Sequence, residues 1–163
     1  MKLRGCRLEN CTGHEAGRRL LAELYREQTG EDLPPIALGQ RGKPYFPGSP
    51  WQFSITHTRH YAFCALSRHR IGIDAEELDR HVTPGLADKI LSPGEKAQYE
   101  AAEDKNRALL TFWVLKEAQV KLTGQGLRGY PDHTDFSLED PAVRVIGDCL
   151  VAILEEEEKN DAV

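Results

Sequence analysis

Two stretches of this 163-residue chain place charge inside apolar sequence. The first is Ile71-Gly72-Ile73-Asp74-Ala75-Glu76. Its β-branched residues and glycine predict a buried strand, and the alternation of faces sends Asp74 and Glu76 out together, opposite Ile71 and Ile73. Two neighbouring carboxylates repel unless a cation lies between them. The second is Trp113-Val114-Leu115-Lys116-Glu117-Ala118-Gln119-Val120-Lys121, inside a run over 108–122 whose apolar side chains go all the way round a helix. A helix that is apolar on every side is a buried one. Glu117 and Lys121 form an i, i+4 pair on one stripe of it, among Leu110, Trp113 and Val114.

Buried charge is costly unless it is paired or bound to metal. The economical arrangement joins Glu117 to Asp74 and Glu76 around one divalent cation, with Lys121 facing the anion that the cation carries. Mg²⁺ suits such a site because it is hard, takes oxygen ligands and is typically held by few carboxylates plus substrate phosphates. Taken singly, D-x-E at a strand end or a salt-bridged K-E-x-x-x-K helix is ordinary surface chemistry. The apolar surround is what weighs against that reading.

The elements needed to position these residues are legible along the chain. A basic strand over Met1–Leu8 precedes a helix from His14 to Gln28, capped at Thr12 and stopped at Thr29-Gly30. Five prolines between Leu33 and Pro50 make the next segment irregular, and Arg41-Gly42-Lys43-Pro44 sets a cation in a stiff turn. Trp51 to Thr56 alternates strictly, aligning Gln52, Ser54 and Thr56 on one face and delivering Thr56-His57-Thr58 to the strand end, where hydroxyls, an imidazole and backbone N–H groups would cradle a phosphate. Strands follow at Tyr61–Leu66, Phe136–Leu138, Val143–Ile146 and Cys149–Leu154, with a short helix over Leu86–Leu91. Ser92-Pro93-Gly94-Glu95 reads as a helix start whose capping box accounts for Glu95 without any catalytic role. The run Cys-Leu-Val-Ala-Ile-Leu at 149–154 echoes Tyr-Ala-Phe-Cys-Ala-Leu at 61–66 and hints at two related lobes.

Composition bounds the function. A hydrophobic content of 40% with 29% charged residues describes a soluble globular protein. No apolar run approaches the ~20 residues of a membrane span, and the N-terminus leads into no signal-peptide core, so a cytoplasmic protein is expected. Cysteines at 6, 11, 64 and 149 show no zinc spacing and read as reduced thiols, three of them buried. Residues 1–70 carry 11 Lys and Arg against 6 Asp and Glu, whereas residues 71–163 carry 10 against 20. One half suits anions and the other a metal, as a metal-chelated polyphosphate bound between lobes would require. With no continuous basic stripe, nucleic acid is excluded as the main partner.

Taken in order, Gly42-Lys43-Pro44, Phe53-Ser54-Ile55-Thr56-His57-Thr58, Ile71 to Glu76, Leu91-Ser92-Pro93-Gly94-Glu95 and Trp113 to Lys121 resemble the 4'-phosphopantetheinyl transferases. The G-K-P and S-x-T-H elements precede the K-E-A helix, an order similar to the surfactin-synthetase-activating type and unlike the short trimeric type. The resemblance implies an α+β fold: a shortened pseudo-dimer of two similar lobes, 1–70 for the phosphates of coenzyme A and 71–163 for metal and catalysis, with one active site in the cleft between them.

The implied reaction moves the 4'-phosphopantetheinyl arm of coenzyme A to a serine of an apo acyl, peptidyl or polyketide carrier protein and releases 3',5'-ADP. By the same resemblance Asp74, Glu76 and Glu117 hold Mg²⁺, Lys43, Thr56 and His57 contact the 3'-phosphate and pyrophosphate, and Lys121 contacts the pyrophosphate. Glu117 is the preferred base for the serine proton, with Glu95 the other candidate. A pseudo-dimer predicts a monomer in solution. An Mg²⁺-dependent hydrolase of coenzyme A or a related nucleotide, or a non-catalytic coenzyme A or carrier-binding module, are the competing readings; a module that only binds has no need of three metal carboxylates.

Overall fold

In the computed structural model, residues 1–124 and 135–156 are described. The N-terminal strand β1 (Lys2–Arg7) leads to α1 (Gly13–Thr29), a small hairpin of β2 (Ala37–Leu38) and β3 (Pro44–Tyr45), and then β4 (Gln52–His57) and β5 (Tyr61–Ser67). The second half contains β6 (Ile71–Glu77), α2 (Gly85–Ile90), α3 (Pro93–Ala101), α4 (Lys105–Thr123), β7 (Val143–Ile146) and β8 (Cys149–Glu155). All strand pairings are antiparallel. They build a sheet of order β1-β5-β4 and a sheet of order β6-β8-β7, beside the small hairpin.

Side-chain alternation stacks these pieces in layers. On β5, Ala62, Cys64 and Leu66 face α1 and join Leu20, Leu21, Leu24 and Tyr25, whereas Phe63 and Ala65 face the second sheet and meet Ile71, Ile73, Ala75 and Val151. On β8, Cys149, Val151 and Ile153 share that inter-sheet core, while Leu150 and Ala152 turn outward to Leu109, Phe112 and Leu115. The order is therefore helix, sheet, sheet, helix. β5 and β8 are each the middle strand of a three-stranded sheet and buried on both faces, which is why 61–66 and 149–154 are apolar throughout. Their sequence echo corresponds to equivalent positions in the two sheets.

Local chemistry sets the helix ends as predicted. Thr12 with Glu15, and Ser92 with Glu95, form reciprocal capping boxes. α1 and α4 stop at Gly30 (φ 75°) and Gly124 (φ 68°), the left-handed conformation that glycine adopts without a Cβ clash.

Two expectations need correction. Phe136–Leu138 is not a strand: Glu95 Oε2 accepts from the Phe136 N–H at 3.1 Å and Gln98 Oε1 from the Leu138 N–H at 3.1 Å, so α3 side chains take the hydrogen bonds a strand partner would need. Two cysteines are buried, not three: Cys64 and Cys149, while Cys6 and Cys11 are half-exposed. Burial pushes the thiols of Cys64 and Cys149 up to about 12 and about 11, the opposite of what a nucleophile needs. Among the described residues, no helix is long and apolar enough to cross a membrane.

Candidate functional site

The edge strands β4 and β6 meet at a seam, and the alternation read from Trp51 to Thr56 aims Ser54 and Thr56 into it. Ser54 Oγ accepts the Ile73 N–H at 3.1 Å, and Thr56 Oγ1 donates to Asp74 Oδ1 at 3.2 Å. α4 lies across the other side of β6. Gly72 permits that approach, since a Cβ there would come within 2.0 Å of the Ala118 carbonyl oxygen and 2.5 Å of the Leu122 nitrogen. At this close crossing Lys121 Nζ donates to the Ile73 carbonyl at 3.0 Å and to Asp74 Oδ1 at 2.9 Å.

Asp74 and Glu76 thus share the α4 side of β6, as the strand alternation predicts, and the charge of Glu117 on α4 acts on Asp74. Burial pushes the Asp74 carboxyl up to about 6; Lys121 opposes that rise, and the charges of Glu117 and Glu76 add to it. The repulsion expected between the carboxylates is met here by cations of the chain itself. Lys121 holds Asp74, and Glu76 is held through Oε1 by the Trp113 indole N–H at 3.1 Å and by Arg80. No three His, Cys, Asp or Glu side chains among the described residues are clustered to hold a metal. In donor type the set nevertheless fits a hard divalent cation: every candidate ligand is a carboxylate oxygen. The partners of Asp74 converge on Oδ1 and those of Glu76 on Oε1, leaving Asp74 Oδ2 and Glu76 Oε2 without a hydrogen bond from the described residues.

The basic turn stands beside this seam. Arg41, Gly42, Lys43, Pro44, Phe53, Ser54, Ile55, Val120, Lys121 and Gly124 line a cavity of about 250 Å³ whose walls are mostly apolar. Lys43 also ties the halves together, donating to the Ile71 carbonyl at 3.3 Å and the Leu122 carbonyl at 3.1 Å; burial and the nearby Arg70 lower its pKa. At the far end of β4, His57 is exposed and lies against Gly13 at the start of α1, where a Cβ would approach the imidazole within 2.3 Å. Of the arginines nearest the N-terminus, Arg4 is engaged by Glu23 and Glu27 on α1.

Glu95 is placed elsewhere. It is 0% exposed; Oε1 accepts the Ser92 N–H at 2.9 Å and lies 2.7 Å from Lys116 Nζ, and Oε2 accepts the Phe136 N–H. With both oxygens committed and no access to solvent, it is not available as a base. The fully buried cation on α4 is Lys116, 1% exposed, whereas Glu117 is half-buried. Sequence periodicity missed this pair because an all-round apolar helix does not say which of three adjacent charges goes innermost. The Lys116–Glu95 contact is off the hydrogen-bond axis, so charge, together with the Phe136 ring 5.8 Å away, holds the ammonium.

A family model of the 4'-phosphopantetheinyl transferase superfamily matches residues 70–157, more than half of the chain and all of β6, α4 and β8. The chain belongs to this superfamily. The slr0495 protein of Synechocystis sp. is 34% identical over 99 residues, covering 56% of this chain and 40% of that protein. The 4'-phosphopantetheinyl transferase HetI of Nostoc sp. is 30% identical over 122 residues, covering 69% of this chain and 52% of the relative. The 4'-phosphopantetheinyl transferase Gsp of Aneurinibacillus migulanus is 28% identical over 88 residues, covering 53% and 36%. The chain spans about half or less of the length of these curated relatives.

Proposed function

We propose that the chain transfers the 4'-phosphopantetheinyl arm of coenzyme A to a serine of an apo acyl, peptidyl or polyketide carrier protein and releases 3',5'-ADP. The observation that carries this reading is the seam itself: Asp74 and Glu76, each with one oxygen that takes no hydrogen bond from the described residues, a lysine and a hydroxyl beside them, and a mostly apolar cavity lined in part by Arg41, Lys43 and Lys121. In this reading the nucleotide base enters the cavity between Pro44 and Phe53. His57, Thr56 and Lys43 take the 3'-phosphate and pyrophosphate, aided by the positive N-terminal end of α1. Lys121 meets the pyrophosphate. A divalent cation such as Mg²⁺ on Asp74, Glu76 and Glu117 would supply neutralisation of the pyrophosphate charge.

Glu117 is the base in this account, because Glu95 is sealed. It accepts the proton of the carrier serine as the serine oxygen attacks the phosphorus nearer the pantetheine arm. The bond from that phosphorus to the ADP oxygen breaks, and Lys121 meets the charge left there. Positioning and charge neutralisation dominate such a transfer, with little covalent work by the protein.

The two sheets, each with a middle strand buried on both faces and a helix on its outer face, support lobes 1–70 and 71–163 acting as one pseudo-dimeric unit with the site in the cleft; in this reading the chain is a cytoplasmic monomer. Intact mass of an apo carrier after incubation with the protein, coenzyme A and Mg²⁺ tests the reading. A phosphopantetheinyl mass gain that disappears with Asp74→Ala is expected. Consumption of coenzyme A without any carrier gain would replace the transferase by the hydrolase.

A further inference from the structure

The turn that follows β6 returns a cation to the strand it has just left. Arg80 forms an i, i+4 ion pair with Glu76, and the Trp113 indole N–H donates to the same oxygen, Oε1, at 3.1 Å. The two partners differ in mobility. Trp113 is fixed in α4 and packs against the core of that helix, whereas the Arg80 side chain is 48% exposed on a turn. Asn106 braces the turn around Arg80, its Oδ1 accepting the Val82 N–H at 2.9 Å and its Nδ2 donating to the Arg80 carbonyl at 2.8 Å. The Arg80 backbone is therefore held, while its guanidinium pairs with Glu76 from a half-exposed position.

We infer that Arg80 is a resident counter-ion of Glu76 that competes with a divalent cation for the charge of that carboxylate, and that it thereby lowers the affinity of the site for metal. The inference rests on Asp74, Glu76 and Glu117 being the metal carboxylates. Without metal, the charges of Glu76 and Glu117 act on Asp74, and the guanidinium offsets the charge of Glu76. A divalent cation on Oε2 supplies the same neutralisation and also repels the guanidinium. The Trp113 hydrogen bond persists in both states, so it fixes the carboxylate plane and makes the indole a reporter of the exchange. Arg80 acts as a positioning residue, because it touches neither nucleotide nor serine in this account.

The test uses Mn²⁺ alone, with free metal counted by its room-temperature paramagnetic resonance and heat measured by calorimetry, on the full chain and on Arg80→Ala and Arg80→Lys. Arg80→Ala is expected to bind Mn²⁺ about fivefold more tightly, the scale of one exposed ion pair lost as a competitor, with Arg80→Lys close to the parent. Trp113 fluorescence should change on metal addition in the parent and less in Arg80→Ala, measured in a Trp51→Phe background. Equal Mn²⁺ affinity in all three proteins, or weaker binding in Arg80→Ala, would overturn the role of Arg80 while leaving the metal site standing. No Mn²⁺ binding in any of them would overturn the metal reading and this inference with it.

Discussion

Lys116 and Lys121 stand on the same helix, and each is paired with a carboxylate from another element, yet the two pairs are built for opposite purposes. Lys116–Glu95 is closed: both side chains are 1% exposed or less, and Glu95 also accepts two backbone N–H bonds that pin Phe136 and the start of α3. Lys121–Asp74 is open: the lysine side chain is 32% exposed and borders the cavity, and Asp74 Oδ2 has no described donor. A closed pair fixes geometry; an open pair can exchange partners. Burial alone does not mark a catalytic charge, and the availability of an uncommitted oxygen separates the two.

Breaking the closed pair should give the largest effect. Lys116→Ala leaves Glu95 buried and unpaired, and a loss of ~3–5 kcal/mol in urea unfolding is expected. Replacing both residues together with apolar side chains of similar volume should recover much of that loss, because the cost lies in orphaning a charge.

Gly72→Ala comes next. Its Cβ would overlap backbone atoms of α4, which cannot rotate away, so ~2–4 kcal/mol of stability should be lost. In the fraction that remains folded, the Lys121–Asp74 pair should be disrupted more than the Lys116–Glu95 pair.

The open pair has a pH signature. Asp74 rises from an ordinary 3.8 to about 6 in the folded chain, so the folded state binds the extra proton between those values and loses stability as pH rises through that window. Asp74→Asn removes this dependence. Its melting temperature relative to the parent, measured with EDTA present, should therefore climb as pH is raised from 4 to 6.5 and level off above that. A flat difference would mean that Asp74 titrates near its ordinary value.

The smallest effect belongs to the periphery. His60 Nδ1 lies 2.6 Å from Glu77 Oε1, joining the β4–β5 turn to the end of β6. Burial raises the Glu77 carboxyl, but the bonds from His60 and Thr58 outweigh it and hold the group below its ordinary range. His60→Ala should cost at most ~1 kcal/mol in thermal unfolding, with the proposed transfer activity kept.

Much of this site is legible in local patterns. The β6 alternation places Asp74 and Glu76 on one face, the β4 alternation aligns Ser54 and Thr56 on one face, and the Ser92 capping box accounts for Glu95. Partner choice was not legible, because it depends on how α4 rotates over β6. That rotation buries Lys116, leaves Glu117 half-exposed and brings Lys121 to Asp74, and it is fixed by contacts such as Gly72 against Ala118. The expected strand at Phe136–Leu138 failed for a related reason: a short apolar run fits a strand or a buried loop equally well, and side chains from α3 decided the matter.

Single-turnover transfer to an apo carrier, corrected for the folded fraction by circular dichroism, most directly tests whether the open pair marks the working site. Glu117→Gln should lower the rate by at least ~100-fold, the scale of losing a general base and metal ligand, while folded Glu95→Gln keeps a rate near the parent. A Glu95→Gln protein that folds but loses transfer, with Glu117→Gln remaining active, would contradict the account.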